Sequence, residues 1–323
     1  MATVKSSQIN ATDLDFEEIA DNIKTYLKGQ DKFKDYNFEG ANLGVLVDML
    51  AYAGHISGLN TNIAASELFL DSAQIRKNVV SRAKDLGFIP ASEKASAAQI
   101  EVKMNEVRNA DGTTPTSNEM IMPRGHNFNT NFDGVSYNYV CVSSVVPTRD
   151  GNTFTFSNVD IVQGQYITDS FIFDSQIKNA KFVLSNSRVD RSKLQVEVNS
   201  GGTVNTYALS TDVSTITSSS RVFYAQENEE GFVEIYFGDG VLGIDLKDGD
   251  QISATYVVVD PIHADGAKIF GMSNSINGFS QATITTLSNS TGGAEKEDIE
   301  SIKFKATKFY TSQNRLVTLN DYK

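Results

Sequence analysis

The hydrophobic period of this chain changes twice, near Ala97 and again near Ile299, and that double switch limits the fold more than any single motif does. Up to residue 90, apolar residues recur at helical spacing. Phe16, Ile19, Ala20, Ile23 and Leu27 follow a Thr12/Asp15 capping-box pair and stop at Gly29. Leu43, Leu46, Val47, Leu50 and Ala51 predict a second amphipathic helix, prolonged by Tyr52 and Ala53. A third runs over Ile75, Val79, Ala83 and Leu86, with Asp71 as its cap and Gly87 and Pro90 as its stop. From Ala97 the pattern alternates, as in Ile100, Val102 and Met104, and β-branched and aromatic runs follow between Gly, Asn, Asp and Ser clusters. Helical spacing returns at Ile299, Ile302, Ala306, Phe309 and Tyr310, with acids early (Glu295, Glu297, Asp298, Glu300) and Lys303, Lys305 and Lys308 late, as the helix dipole favours.

These switches predict an α+β chain: an N-terminal three-helix bundle, a central all-β region of one or two antiparallel β domains, and a C-terminal amphipathic helix beginning a further domain. The expected divisions are 1–95, 96–185, 186–285 and 286–323. No Pro-rich or charged linker marks the β cut, which is placed near Asn179–Asp190.

Charge and composition exclude several classes. The 28 Lys and Arg against 40 Asp and Glu give a net charge of −12, so nucleic acid is not an expected partner. Met1–Asn10 has no apolar signal core, and no stretch approaches the ~18 apolar residues of a membrane span, so no membrane partner is expected either. One cysteine, Cys141, forms no internal disulfide, and His55, His126 and His263 lack metal-ligand spacing.

The motifs carry no chemistry that converges. Gly238-Asp239-Gly240-Val241-Leu242-Gly243 spells a dinucleotide fingerprint, yet turn residues rather than a long helix follow it, so it reads as a hairpin turn. The nearby acids do not follow the alternate-ligand order of a calcium loop. Glu229 and Glu230 are adjacent in a Gly-bounded turn, where a glycosidase needs facing carboxylates, and Cys141 reads as a small buried hydrophobe. No catalytic, cofactor or metal residue is assigned, and neither an enzyme nor a small-molecule substrate is expected. Between Glu227 and Asp250, eight carboxylates stand against Lys247, a local balance of −7 that suits either a solvated edge or a docking face for a basic partner.

Four separated segments, in order, resemble the baseplate wedge proteins of contractile-tailed phages, the baseplate J-like family of T4 type. The first is Tyr36-Asn37-Phe38-Glu39-Gly40-Ala41-Asn42-Leu43 with Leu46 and Asp48-Met49-Leu50-Ala51-Tyr52. Met122-Pro123-Arg124-Gly125 with Phe128 is the second, and Phe237-Gly238-Asp239-Gly240 with Gly243, Gly249 and Tyr256 the third. The fourth is the most specific: Gly292-Gly293-Ala294, Glu297, Ile299-Glu300, Ile302 and Ala306, then Gln313-Asn314-Arg315, Val317-Thr318 and Asp321-Tyr322. Lys303 and Thr307 stand where Arg and Pro are commoner in that pattern.

The resemblance implies a structural subunit of a virion tail baseplate, assembled in the host bacterial cytoplasm. It would pair with itself within a wedge and bind other wedge proteins in the ring around the hub that couples host attachment to sheath contraction. Members of the family continue past residue 323, so a fragment lacking the C-terminal self-association region is expected. Candidate interface residues are Ile299, Ile302, Phe309 and Tyr310 on the last helix and the Gln313, Asn314, Arg315 turn, with intrachain packing as the competing role. The rival class is a virion receptor- or glycan-binding β protein, which suits the Asn/Ser/Thr-rich strands and not the helical front.

Overall fold

The computed structural model describes residues 15–38, 42–109, 111–210, 215–260 and 262–312. They fall into a helical unit, up to Ile89 and again from Asp298, and a β unit, Pro90–Glu297.

The helical unit holds α1 (Phe16–Lys28), α2 (Asn42–Glu67), α3 (Arg76–Asp85) and α4 (Ile299–Ser312). The predicted stripe of α1 turns inward onto α2, and Ala20 is buried. Gly44 is fixed by sterics: a Cβ there would collide with the carbonyl oxygen of Phe38, the buried end of the aromatic link between the two helices. The broad class follows the sequence; the pairing inside it differs. The helices pack in twos, α1 with α2 and α3 with α4, instead of forming a bundle of the first three. The C-terminal helix therefore closes the unit that the N-terminal helices begin. Val79, Val80 and Ala83 of α3 enclose Ile302 and Ala306 of α4, and each large aliphatic side chain so buried contributes about 1.5–3 kcal/mol.

Asp71 does not cap α3, and the Thr12 half of the α1 capping box lies outside the described residues. The residue before α3 is Ile75, without a side-chain cap, and Glu67 at the end of α2 takes over. Its carboxylate accepts from the N–H of Gln74 (2.9 Å) and of Ile75 (3.3 Å) and from Asn78 Nδ2 (2.7 Å). Burial alone would raise the Glu67 carboxyl; these donors outweigh it and hold it below the usual carboxylate range.

The β unit contains two seven-stranded sheets. The first comprises β1 (Ala97–Met104), β2 (Asn127–Phe132), β3 (Val135–Cys141), β4 (Thr148–Asp150), β5 (Thr153–Gln163), β13 (Gly271–Met272) and β14 (Thr283–Thr291). Its order is β13-β2-β3-β5-β1-β14, with β4 on β5, all antiparallel. The second comprises β6 (Gln165–Ile172), β7 (Phe182–Val183), β8 (Val189–Ser200), β9 (Thr203–Leu209), β10 (Val222–Glu227), β11 (Val233–Phe237) and β12 (Gln251–Val258), in the order β6-β12-β8-β9-β10-β11-β7. Only β9 and β10 run parallel. Alternation along the strands fills two cores: Ile100, Val102, Met104, Phe128, Phe154 and Phe156 in the first, Val196, Val198, Phe223, Ile235, Ile252 and Tyr256 in the second.

The sheets do not divide near residue 185. The second is an insertion, Gln165 to Val258, and β13 and β14 then return to the first. The crossing takes one residue. Gly164, at φ +119°, separates β5 from β6, and a Cβ on it would strike the carbonyl oxygen of Val258. No linker composition exists there for a sequence reading to find. Val140, Val162, Val257 and Val259 with Ala95 seal the joint between the sheets.

The chain enters and leaves this unit side by side. Lys94 and Ala294 exchange backbone hydrogen bonds (2.8 and 3.0 Å), and Glu297 Oε2 accepts from Ala91 N–H (3.0 Å). Two residues of β8 hold the entering strand. Asp190 accepts from Ala95 N–H (3.0 Å), and Arg191 donates to the carbonyls of Pro90 and Ala225.

Candidate interaction surfaces

Four of the seven residues singled out in the sequence lie on α4, where they separate by helical position. Ile302 is fully buried against α3 and Ile299 packs at the edge of that contact. Phe309 sits on the same stripe, its ring 6.0 Å from that of Phe88 and still half-exposed. Tyr310, about 100° further round, points outward, as does Phe304. Thus Ile299, Ile302 and Phe309 are joined by packing within the chain. Gln313, Asn314 and Arg315 lie outside the described residues.

The larger surface lies on α2. The sequence reading turns Leu46 and Leu50 inward with Val47 and Ala51; the structure buries Gly44, Val47, Ala51 and Gly58 and leaves Leu46 and Leu50 more than half exposed. The small side chains face inward and the bulky ones outward. Val45, Met49, Tyr52, Ile56, Leu59 and Ile63 are spaced four and three residues alternately, the spacing of a coiled-coil seam, and centre on one line of the helix. Val45, Met49 and Tyr52 are 61–64% exposed, Leu59 and Ile63 nearly half. Within 26 residues the only acids or bases with fixed charge are Asp48 and Glu67.

A helix that is apolar on most sides belongs inside something larger. No helix of the described residues is long and apolar enough to cross a membrane. With Leu46 and Leu50, the seam exposes on the order of 700 Å² of side chain, well above a scattered surface patch and close to the ~800 Å² per partner of a standard protein interface. The absence of polar residues at the seam positions is the sequence signal that marks it. A single inward stripe, chosen by helical spacing alone, misses it.

The β unit offers no convergent polar cleft among its expected candidates. The Gly238–Gly243 segment closes a tight loop, with Gly240 N–H on Gly243 O (3.1 Å) and Asp239 Oδ1 accepting from Val241 and Leu242 N–H (3.0 Å each), and the next element is β12. Much of the 227–250 acidity has local employment: Glu234 is buried, accepts from Gln226 Nε2 (2.6 Å) and pairs with Lys181 (2.7 Å), while Asp250 accepts from Lys247 N–H (2.8 Å). Glu229 and Glu230 lie in the exposed turn after β10. Burial pushes the Cys141 thiol up to about 11, and its Sγ donates to Ser143 O (3.0 Å). Burial pulls His126 down. No group of three His, Cys, Asp or Glu among the described residues has the arrangement to hold a metal ion.

Comparison with known proteins places this architecture. Residues 15–88 match the family model described as baseplate wedge protein gp6-like, helical domain, and residues 166–270 match bacteriophage baseplate wedge protein gp6, third domain. The second match encloses almost the whole inserted sheet. Baseplate wedge protein gp6 of Enterobacteria phage T4 is 29% identical over 337 aligned positions, covering 95% of this chain and 48% of that protein, so the chain spans about half the length of the relative it matches. A chain of the anti-feeding prophage (AFP) baseplate, 6-fold symmetrised, aligns over 97% of this chain and 63% of its own length at 12% identity, with a TM-score of only 0.33. Two gp6-like models in order along one chain, and a likeness to the T4 protein running through nearly all of it, support a T4-type baseplate wedge protein.

Proposed function

We propose that the chain is a structural subunit of a contractile-tail baseplate wedge, located in the virion tail and assembled in the host bacterial cytoplasm. Its α2 seam bundles with helices of a second copy and of neighbouring wedge proteins, while the β unit spaces and orients that bundle in the ring around the hub. One observation carries this reading: an apolar heptad seam left uncovered on the long helix of a wedge-family chain. Covering it by helices of matching spacing stabilises through burial of apolar area, without any need for a polar site. A rearrangement that couples attachment to sheath contraction would require this bundle, or the surfaces beside it, to have two packings of similar energy.

Sedimentation equilibrium of the full chain, alone and with the neighbouring wedge proteins, tests the assignment. The unsubstituted chain is expected to self-associate with increasing concentration and to co-sediment with wedge partners. Met49→Glu and Leu59→Glu, both at exposed positions, are expected to keep the far-ultraviolet circular dichroism spectrum and abolish association. A monomer that binds no wedge partner, or association untouched by these charges, overturns it.

A further inference from the structure

The inserted sheet ends in an open cavity of about 470 Å³, between its last two strands and the loops at residues 173–181 and 238–246. The volume falls in the ~300–1,000 Å³ range of sites that enclose organic groups. Phe173, Ile177, Phe182, Tyr236 and Leu246 give it an apolar lining. The walls are braced from behind: Phe182 contacts the rings of Phe171 (5.3 Å) and Phe237 (6.1 Å), and Tyr236 stacks on Tyr224 at 5.0 Å and 15°. Ile177 stands 58% exposed at the mouth, a bulky aliphatic side chain held in solvent.

The polar lining is unequal in charge. Lys181 is its only cation, and that ammonium is already engaged by Glu234 at 2.7 Å. Asp239 and Asp245 are both exposed, and Asp245 makes no ion pair among the described residues. Alongside, β7 ends the hydrogen-bonded order of its sheet, and just past it the Ser185 N–H is taken by Asp169 of β6 (2.8 Å), so what the cavity offers a ligand is its mouth between the two loops and not a strand edge. An extended segment crossing that mouth places one side chain in the pocket and sets its neighbours on the rim beside Asp239 and Asp245.

We propose that this cavity is a docking site for an extended segment of another protein that carries an apolar anchor side chain flanked by lysine or arginine. The anchor fills the space beside Phe173, Phe182 and Leu246, and the flanking cations pair with Asp239 and Asp245. The site needs only the inserted sheet, so it stands or falls apart from the α2 bundle.

Methyl-detected NMR titration of the full chain is the test, with a blocked hexapeptide of alternating lysine and leucine or phenylalanine as the probe. Its glutamate counterpart and phenylethylammonium, which has the anchor and charge but no backbone, serve as comparisons. The basic peptide is expected to shift the Ile177 and Leu246 methyl signals saturably. Raising salt tenfold, or the double change Asp239→Asn with Asp245→Asn, is expected to weaken binding about fivefold or more. Asparagine at 239 keeps the acceptor that Val241 and Leu242 need, and Ile177→Lys, at an exposed position, is expected to abolish binding with the remaining methyl spectrum unchanged. Unmoved Ile177 and Leu246 signals, equal binding of the glutamate peptide, or equal binding of phenylethylammonium would overturn the proposal.

Discussion

Arg191→Met is expected to destabilise the β unit by about 3–5 kcal/mol, the usual cost of removing one partner from a buried charge cluster. Arg191 lies on β8, where burial pulls its guanidinium down from its ordinary value and the carboxylates of Glu227, Asp190 and Glu297 oppose that effect. It donates to the carbonyls of Pro90 and Ala225 (3.3 Å to the latter), thereby joining the entering strand to the inserted sheet. Methionine fills much of the volume, so little of the loss comes from a cavity. What remains is two carbonyls without their donor and three largely buried carboxylates without this cation, all of which have less than a tenth of their surface exposed. For a unit of this size the deficit corresponds to a melting temperature lower by roughly 10 °C. Calorimetry of the full chain at pH 7 reads it, with the exposed Lys178→Met as a control expected within about 0.5 kcal/mol of the parent. Adding Glu297→Gln, which keeps an acceptor for Ala91 N–H while removing a charge, is expected to recover part of the loss. If Arg191→Met melts with the parent, the crossing strands are not held by this cluster and the reasoning fails.

Three further outcomes follow from particular contacts. Glu67→Ala removes the acceptor at the start of α3 and is expected to cost about 1 kcal/mol at pH 7 by denaturant titration; because the folded carboxyl is held below its unfolded value of 4.5, that stabilisation is present above pH 4.5 and the difference from the parent closes as pH falls below it. Gly164→Ala places a Cβ against the Val258 carbonyl at a φ of +119° and is expected to cost at least about 1–3 kcal/mol, read by thermal unfolding, whereas alanine at the open Gly134 turn pays only its own backbone strain. The Cys141 thiol, pushed up to about 11, is expected to resist iodoacetamide at pH 8 until denaturant is added; rapid labelling of the native chain would contradict its burial.

Period alone made the classes of element legible: Ile100, Val102 and Met104 are all fully buried, as alternation requires, and the α1 stripe faces inward. What it does not carry is the order in which elements meet. Gly164 is one glycine among 23, and nothing local distinguishes the residue at which the chain changes sheets from a simple turn glycine. Its role comes from Val258, nearly a hundred residues away. The capping of α3 is lost for the same reason: Asp71 has the right residue type at the right place, but Glu67, reaching back from the preceding helix, supplies the oxygen.

The surfaces show where helical periodicity is ambiguous in principle. On α4 the apolar positions are few and make one stripe, so packing on α3 consumes Ile299 and Ile302 and leaves mainly Phe304 and Tyr310 outside. On α2 apolar residues outnumber what one neighbour covers. Spacing alone then fits an inward face of Leu46 and Leu50 as well as the one the fold adopts, because both lie on the same cylinder. Size resolves the choice: Gly44, Val47, Ala51 and Gly58 form the buried line of α2, Ile19 of α1 and Phe38 of the link close in beside Gly54 and Gly44 where short side chains leave room, and the bulky residues are displaced to the far side. A chain that merely needed a stable helical pair would gain nothing from Met49, Tyr52, Leu59 and Ile63 in water, and would risk aggregation through them. Their regular four-three spacing is what a partner helix requires, and it makes the seam, rather than the last helix, the surface on which assembly should be sought.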